Sequence, residues 1–364
     1  MKLKFKVTHI FYSGLGGHAN VFFSLLKADK LSLYDSNVIL YGIEDPLKEY
    51  IINFEKYNIT YTFVRKKKGM DIFFWLKIFQ NIRKIRPNRI FLHGSYNIIP
   101  SFVYSVFNKT KIIVRETQAN HLKTKLEWIL LYLSVFLSDY LVFLSKAYHT
   151  ELINNSPNIF INRKIRIIPN GIDLTFYKPN KMINIDKRFM RIGMISRVVP
   201  IKDHITLLKA FSKLVTKNSN LILRIAGDGT ELENLKELSQ KLKIQKNVEF
   251  LGTITQSEIP EFLNSLDIYV HATFGETMST SIMQAQACGL PIVGTNVKGV
   301  KNIIKHNENG LLYELEDALD LETQLITLLT SKEKMEKFSL ASIQYAKEKL
   351  SNENMFKEYV KILS

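Results

Sequence analysis

Phe274-Gly-Glu276-Thr-Met-Ser-Thr-Ser-Ile-Met-Gln284-Ala-Gln-Ala-Cys288-Gly289-Leu-Pro291-Ile-Val puts an acidic side chain just ahead of a short apolar helix. Gln284 follows Glu276 by eight residues, two helical turns further along the same face. A buried-strand signal comes after Gly289-Leu-Pro291. The first amides of a helix lack internal partners and its dipole is positive there, so its start is a ready anion site. A polar loop feeding such a helix suits a ligand with both hydroxyls and phosphates, which describes a nucleotide sugar.

Around this block the chain alternates strand and helix. Strands are expected at 191–195, 221–226, 247–250, 267–271 and 291–294, with helices near 203–216, 231–242, 259–266 and 279–287. An earlier series reads the same way, with strands at 3–12, 37–41, 59–64, 89–93, 111–115 and 140–144. Strand then helix, repeated, means a parallel sheet covered on both faces. Asn170-Gly171 is a turn signal and Lys178-Pro179-Asn180-Lys181 is polar, so the boundary is placed near residue 170. The expected organisation is α/β, with two Rossmann-like doubly wound domains at 1–169 and 170–345 facing a central cleft. A last helix, within 346–364, crosses back to the first domain. Ligands bind such sheets at the carboxyl ends of their strands.

At 364 residues the chain is long enough for two cores. With 46% hydrophobic residues it reads as globular, not disordered. Cys288 is the one cysteine, which excludes an internal disulfide and fits a reducing compartment. The first residues, Met-Lys-Leu-Lys-Phe-Lys-Val, alternate as a strand does, unlike a secretory signal. The longest apolar window, 128–144, is interrupted by Asp139 and reads as a helix running into a strand.

The charge is lopsided. Residues 1–180 carry 26 of the 50 Lys/Arg but only 12 of the 34 Asp/Glu. The excess is densest between Arg65 and Arg89, interleaved with aromatic and aliphatic residues. A basic amphipathic helix of this kind suits an anionic membrane surface, with Lys66, Lys67, Lys68, Trp75, Lys77, Arg83 and Lys84 facing it. A solvated helix face or a nucleic-acid surface are the competing readings.

Four groups fall at strand ends or helix starts. Gly14-Leu-Gly16-Gly17-His18 follows the first strand, where glycine lets backbone amides approach phosphate. Its spacing misses the dinucleotide fingerprint, and no P-loop is present. Ser196-Arg197-Val-Val-Pro200-Ile-Lys202-Asp203 sets two cations five residues apart at a strand-to-helix turn, able to reach one diphosphate. Ala226-Gly227-Asp228-Gly229 reads as a tight turn, and Glu276 with Gln284 completes the set. His93 ends an expected strand and His121 lies in the loop after Arg115-Glu116-Thr117. The histidines show no metal-ligand spacing and there is no Asp-x-Asp, so no metal and no cofactor is expected.

In order and spacing these groups resemble the retaining glycosyltransferases of family 4, which have the GT-B fold and belong to glycosyl transferases group 1. Pro169-Asn-Gly-Ile-Asp173, Ser196-Arg197 with Lys202, Ala226-Gly-Asp-Gly229, Phe250-Leu-Gly252, the 276–291 block and Asn309-Gly-Leu-Leu312 carry the likeness. The resemblance implies that Arg197 and Lys202 hold the donor diphosphate and that Glu276 binds the transferred sugar. It implies that Thr277, Met278, Ser279 and Thr280 touch sugar and phosphate, and that Gly227 and Ile254 help form the nucleotide site. Gly16 and Gly17 would face the diphosphate from the first domain. Two departures stand out. The family's second Glu is here Gln284, still able to bond ribose hydroxyls but as a neutral partner. Many members place a His where Thr117 stands, which leaves His18, His93, Thr117 and His121 as acceptor-side or catalytic candidates. The expected activity is transfer from a UDP-sugar to a lipid-linked or lipopolysaccharide-type glycan acceptor. The enzyme would lie on the inner face of the cytoplasmic membrane and bind no nucleic acid. A non-hydrolysing sugar-nucleotide epimerase on the same fold, or behind it a nucleic-acid-binding protein, is the alternative.

Overall fold

The structure is a computed structural model that describes residues 5–14, 17–67, 71–120, 123–155, 164–180, 182, 186 and 188–364. The chain divides into two units, Met1–Gly171 with Asn352–Ser364, and Ile172–Ser351.

The first unit holds β1 (Phe5–Tyr12), α1 (Gly17–Ala28), β2 (Tyr34–Gly42), α2 (Lys48–Lys56), β3 (Tyr61–Arg65), α3 (Ile72–Ile85) and β4 (Arg89–Leu92). After these come α4 (Ile98–Asn108), β5 (Lys111–Glu116), α5 (Lys125–Leu137), β6 (Tyr140–Phe143), α6 (Lys146–Asn155) and β7 (Ile165–Ile167). The sheet order is β3-β2-β1-β4-β5-β6-β7, and all its pairings are parallel. Successive side chains of a strand face opposite ways, so this sheet feeds two cores. Ile10, Ile39, Ile90, Ile112 and Leu141 pack under α3, α4 and α5. Val7, Phe91, Ile113 and Val142 meet α1 and the C-terminal helix, while Phe11, Val38 and Leu40 meet α1 and α2. Asp71 caps α3 by accepting from Phe74 N–H at 3.0 Å. Thr124 and Glu127 form a capping box on α5.

The second unit continues with β8 (Met190–Ile195), α7 (His204–Lys217), β9 (Leu221–Ala226), α8 (Leu232–Lys241), β10 (Val248–Gly252), α9 (Ile259–Asn264) and β11 (Ile268–His271). It ends with α10 (Thr280–Ala287), β12 (Ile292–Thr295), α11 (Lys298–Lys301), β13 (Leu311–Tyr313), α12 (Ala318–Leu329) and α13 (Lys332–Lys349). The sheet order is β10-β9-β8-β11-β12-β13, again parallel. The last helix, α14 (Asn352–Leu363), buries Met355, Tyr359, Ile362 and Leu363 against the first sheet.

The structure refines three details of the sequence reading. Residues 165–167 form a seventh strand of the first sheet, because they pair with β6. The returning helix, expected at about Glu353–Leu363, spans Asn352–Leu363, and residues 346–349 finish α13. Leu350 N–H bonds to Ala346 C=O, and Ser351 bridges Ile172, so the chain leaves the second unit only at Asn352. The division between units falls after Gly171. Window 128–144 resolves into α5 and β6. Asp139 lies between them and accepts from Ile112 N–H at 2.8 Å. Among the described residues no helix is long and apolar enough to cross a membrane.

One residue of α10 works against stability. Gln286 is fully buried, and among the described residues neither its amide oxygen nor its nitrogen has a hydrogen-bond partner. A buried unpaired amide costs about 1–3 kcal/mol, so Gln286→Met, similar in volume, is expected to raise the unfolding free energy by about that much. Denaturant titration checks this, and an unchanged or lower midpoint would contradict it.

Candidate active site

The order of the second sheet reverses between β8 and β11. From β8 the chain moves outward to β9 and β10, and from β11 outward the other way to β12 and β13. Open parallel sheets bind ligands at this reversal, outside the carboxyl ends of the two strands. The loops leaving β8 and β11 carry Lys202 and Glu276. They are stitched together: Phe274 N–H bonds to Ile201 C=O at 2.9 Å, and Asp203 N–H to Ala272 C=O at 3.3 Å. The Thr273 hydroxyl adds a bond to Ile201 C=O at 3.1 Å.

The stitching holds three ionisable side chains around one oxygen. Lys202 Nζ donates to Glu276 Oε2 at 2.9 Å, and His271 Nε2 donates to the same oxygen at 2.5 Å. Burial alone would raise the Glu276 carboxyl. The Lys202 ammonium and the His271 imidazole overcome this and hold it well below the usual carboxylate range. Burial lowers His271 more than Glu276 raises it, so the ring is neutral at pH 7. It bonds as the Nε2–H tautomer, with Nδ1 facing the Ser281 hydroxyl at 3.5 Å. His204 pins the Lys202 loop. Its Nδ1 donates to Lys202 C=O at 2.9 Å and its Nε2 accepts from the Ser196 hydroxyl at 3.1 Å.

Arg197 leaves the end of β8 exposed, with no ion pair to a described residue. The β9 turn crosses the β8 loop at Gly227, where φ is +137° and a Cβ would lie 1.8 Å from Ser196 O. Gly299 does the same at the head of α11, where a Cβ would sit 1.8 Å from Glu276 O. Gly299 escaped the sequence reading, although it fixes how closely α11 approaches the Glu276 loop. Ile254 and Met278 pack half-buried against the second core of this unit. Thr277 C=O accepts from Asn302 at 3.4 Å. Ser279 is the buried N-cap of α10 and receives Ile282 N–H, while Thr280 opens the helix half-buried. Gln284 is buried, and its amide nitrogen donates to the Tyr177 hydroxyl at 2.9 Å. The Cys288 thiol is pushed up to about 12 by burial and is unreactive.

In the first unit the carboxyl ends of β1, β4 and β5 gather a second polar group. Gly17 opens α1 in solvent, and half-buried His18 faces the Thr117 hydroxyl through Nε2 at 3.4 Å. Buried His93 meets His9 Nδ1 at 3.2 Å. Arg115 is fully buried beside them, with one nitrogen on Asn170 Oδ1 and the Tyr359 hydroxyl also close to its guanidinium. Glu116 orders the following loop by accepting from Thr117 N–H at 3.0 Å, Gln118 N–H at 2.9 Å and Ser95 at 3.1 Å. Gly16, Lys68 and His121 lie outside the described residues. Lys67, Lys77, Arg83 and Lys84 are exposed, while Lys66 lies over the Tyr96 ring at 4.9 Å and Trp75 is half-buried. Among the described residues no three His, Cys, Asp or Glu side chains converge on a metal position.

These imidazoles make folding sensitive to acid. Burial holds His9 at about 3, and His18 and His204 at about 4, against an ordinary value near 6.5. Below about pH 6.5 the unfolded chain takes up protons that the folded chain refuses, so stability falls with pH. By pH 5 the loss is about 1–2 kcal/mol for each ring. Glu276 adds nothing in this window, because a depressed carboxyl gives up its stability only below the ordinary carboxylate range. A melting temperature that stays flat from pH 7 to pH 5 would contradict this.

Comparison with solved structures assigns the fold. The chain is similar to Anabaena Alr3699/HepE, solved in complex with UDP and glucose, with 17% identity, a TM-score of 0.82 and 99% of each chain covered. Two doubly wound parallel units of this kind define the GT-B fold class. Residues 180–345 match the model of glycosyl transferases group 1, so the second unit is a domain of that family. Among curated relatives, the N-acetyl-alpha-D-glucosaminyl L-malate synthase of Bacillus anthracis is 29% identical over 47% of this chain and 46% of its own length. The UDP-Gal:alpha-D-GlcNAc-diphosphoundecaprenol alpha-1,3-galactosyltransferase of Escherichia coli is 28% identical over 42% of each. The chain thus spans less than half the length of these relatives.

Proposed function

We propose that this chain is a retaining glycosyltransferase that moves a sugar from a UDP-sugar to a lipid-linked or glycan acceptor at the cytoplasmic face of a membrane. The observation that carries the reading is the Lys202–Glu276–His271 cluster at the reversal of the second sheet. A diphosphate placed there meets Lys202 and the exposed Arg197. The two cations supply the charge that a departing phosphate needs, in the place a metal would take in other designs. Glu276, held by neutral His271, keeps an anionic acceptor for sugar hydroxyls when Lys202 turns to phosphate. The acceptor oxygen attacks C1 from the face that the leaving group departs. The C1–O bond breaks with its electron pair going to the UDP oxygen, and that oxygen takes the acceptor's proton. Catalysis then comes from contacts to the diphosphate that strengthen as charge develops. The acceptor is assigned to the first unit, where His18, His93 and Thr117 gather. UDP in the similar Anabaena structure, and UDP-Gal with a diphosphoundecaprenol acceptor in the name of the E. coli relative, support the choice of donor and acceptor class.

A panel of UDP-, GDP- and ADP-sugars, assayed for nucleotide release with and without a lipid-linked acceptor, tests this. UDP release that rises with acceptor is expected. Turnover of a UDP-sugar to its epimer without acceptor would replace transferase by epimerase.

A further inference from the structure

The two helical layers of the first unit differ in what they show to solvent. The layer of α3, α4 and α5 exposes eight large hydrophobic side chains, whereas the opposite layer of α1, α2 and α14 exposes one, Ile52. Phe73 on α3 is 78% exposed, Phe107 on α4 80% and Phe136 on α5 63%. The three helices are neighbours, α3 packed on α4 and α4 on α5. Scattered apolar residues are normal on a surface, but a concentration on one layer marks an interaction face. The sequence reading placed a basic helix here and found neither Phe107 nor Phe136.

The charge on this layer identifies what covers it. α3 carries Lys77, Arg83 and Lys84 and no acid, and α4 carries no charge at all. The one acid of α5, Glu127, is tied to Thr124 in the helix cap. Arg86 and Lys109 stand just past the ends of α3 and α4, both exposed, while the flanking acids Asp71 and Asp139 are each held by a backbone N–H, of Phe74 and Ile112. Both tryptophans of the chain, Trp75 and Trp128, lie on this layer, half-buried. Apolar anchors among cations, with indole rings between them, match a bilayer interface whose lipids are anionic.

We infer that the α3–α4–α5 layer inserts Phe73, Phe107 and Phe136 into an anionic bilayer, with the surrounding Lys and Arg on the headgroups. The inference rests on the membrane location proposed above and adds that binding is anchored by apolar insertion and not by charge alone. One Phe side chain moved into lipid strengthens partitioning about tenfold or more. The test is flotation of the full chain with phosphatidylcholine vesicles, with and without phosphatidylglycerol, while the two tryptophans report insertion by a blue-shifted emission. Wild type is expected to float and shift blue with the anionic vesicles. The triple variant Phe73→Ser, Phe107→Ser, Phe136→Ser is expected to lose both by about a hundredfold or more, with its thermal melt and its nucleotide release from soluble donor kept. A triple variant that floats as wild type does overturns insertion and leaves the membrane location standing. Wild type that floats with neither vesicle overturns both. A wild-type dimer in light scattering that the triple variant dissolves makes the face a contact between copies and overturns the inference.

Discussion

Lys202→Ala lowers the rate of sugar transfer by about 10²-fold or more in this account. Removing one preorganised donor from a site where charge develops costs that much. The magnitude follows from position. Only 10% of the Lys202 side chain is exposed, so water cannot replace the ammonium, and the stitched β8 and β11 loops hold it in place. Folding should survive, because Glu276 retains His271 as a partner. Lys202→Arg should not rescue, since a planar fork cannot occupy the place of a compact ammonium. Steady-state kinetics decide the matter, and a near-wild-type turnover number in Lys202→Ala would remove this residue from the mechanism. Arg197→Ala should fall in the same range, although its exposure gives water more chance to compensate.

The second large effect belongs to Glu276. Glu276→Gln keeps the size of the side chain and one oxygen that can accept from both Lys202 Nζ and His271 Nε2, but it removes the negative charge and replaces the second carboxylate oxygen by an amide NH2, which donates. Sugar transfer is expected to fall by about 10²-fold or more, because the sugar loses its anionic partner. Binding of UDP, which has no sugar, should stay level or tighten as Lys202 is released toward phosphate. Loss of UDP affinity in step with transfer would instead make Glu276 part of the phosphate site or of the fold.

The placement of Lys202 and Glu276 on strand-to-helix turns was legible in the sequence because each sits at a fixed offset from a strand and a helix, and that offset is local. Their partners were not. His271 is the last residue of a buried strand and reads as part of it, and it acquires a role only because β8 and β11 lie side by side across the reversal. His204 stands behind the Asp203 cap, where a helix start explains it without chemistry. Tyr177 is 107 residues from Gln284, so no spacing rule links them. The parallel sheets were legible from alternating apolar runs and helices. β13 was missed because three residues, Leu311–Tyr313, are too few to show a period. The apolar face of α4 and α5 was missed for the opposite reason. Helices apolar at nearly every position read as buried, and only packing shows which side was left in solvent.

The central claim is that the reversal of the second sheet grips a pyrophosphate through Arg197 and Lys202. Calorimetric titration of UDP and of uridine into wild type and the double variant Arg197→Ala, Lys202→Ala tests it most directly. The account predicts that UDP binds wild type about a hundredfold or more tighter than uridine does, and that the double variant erases this margin while leaving uridine affinity unchanged. Equal affinity for the two ligands in wild type, or a margin that survives loss of both cations, would contradict it.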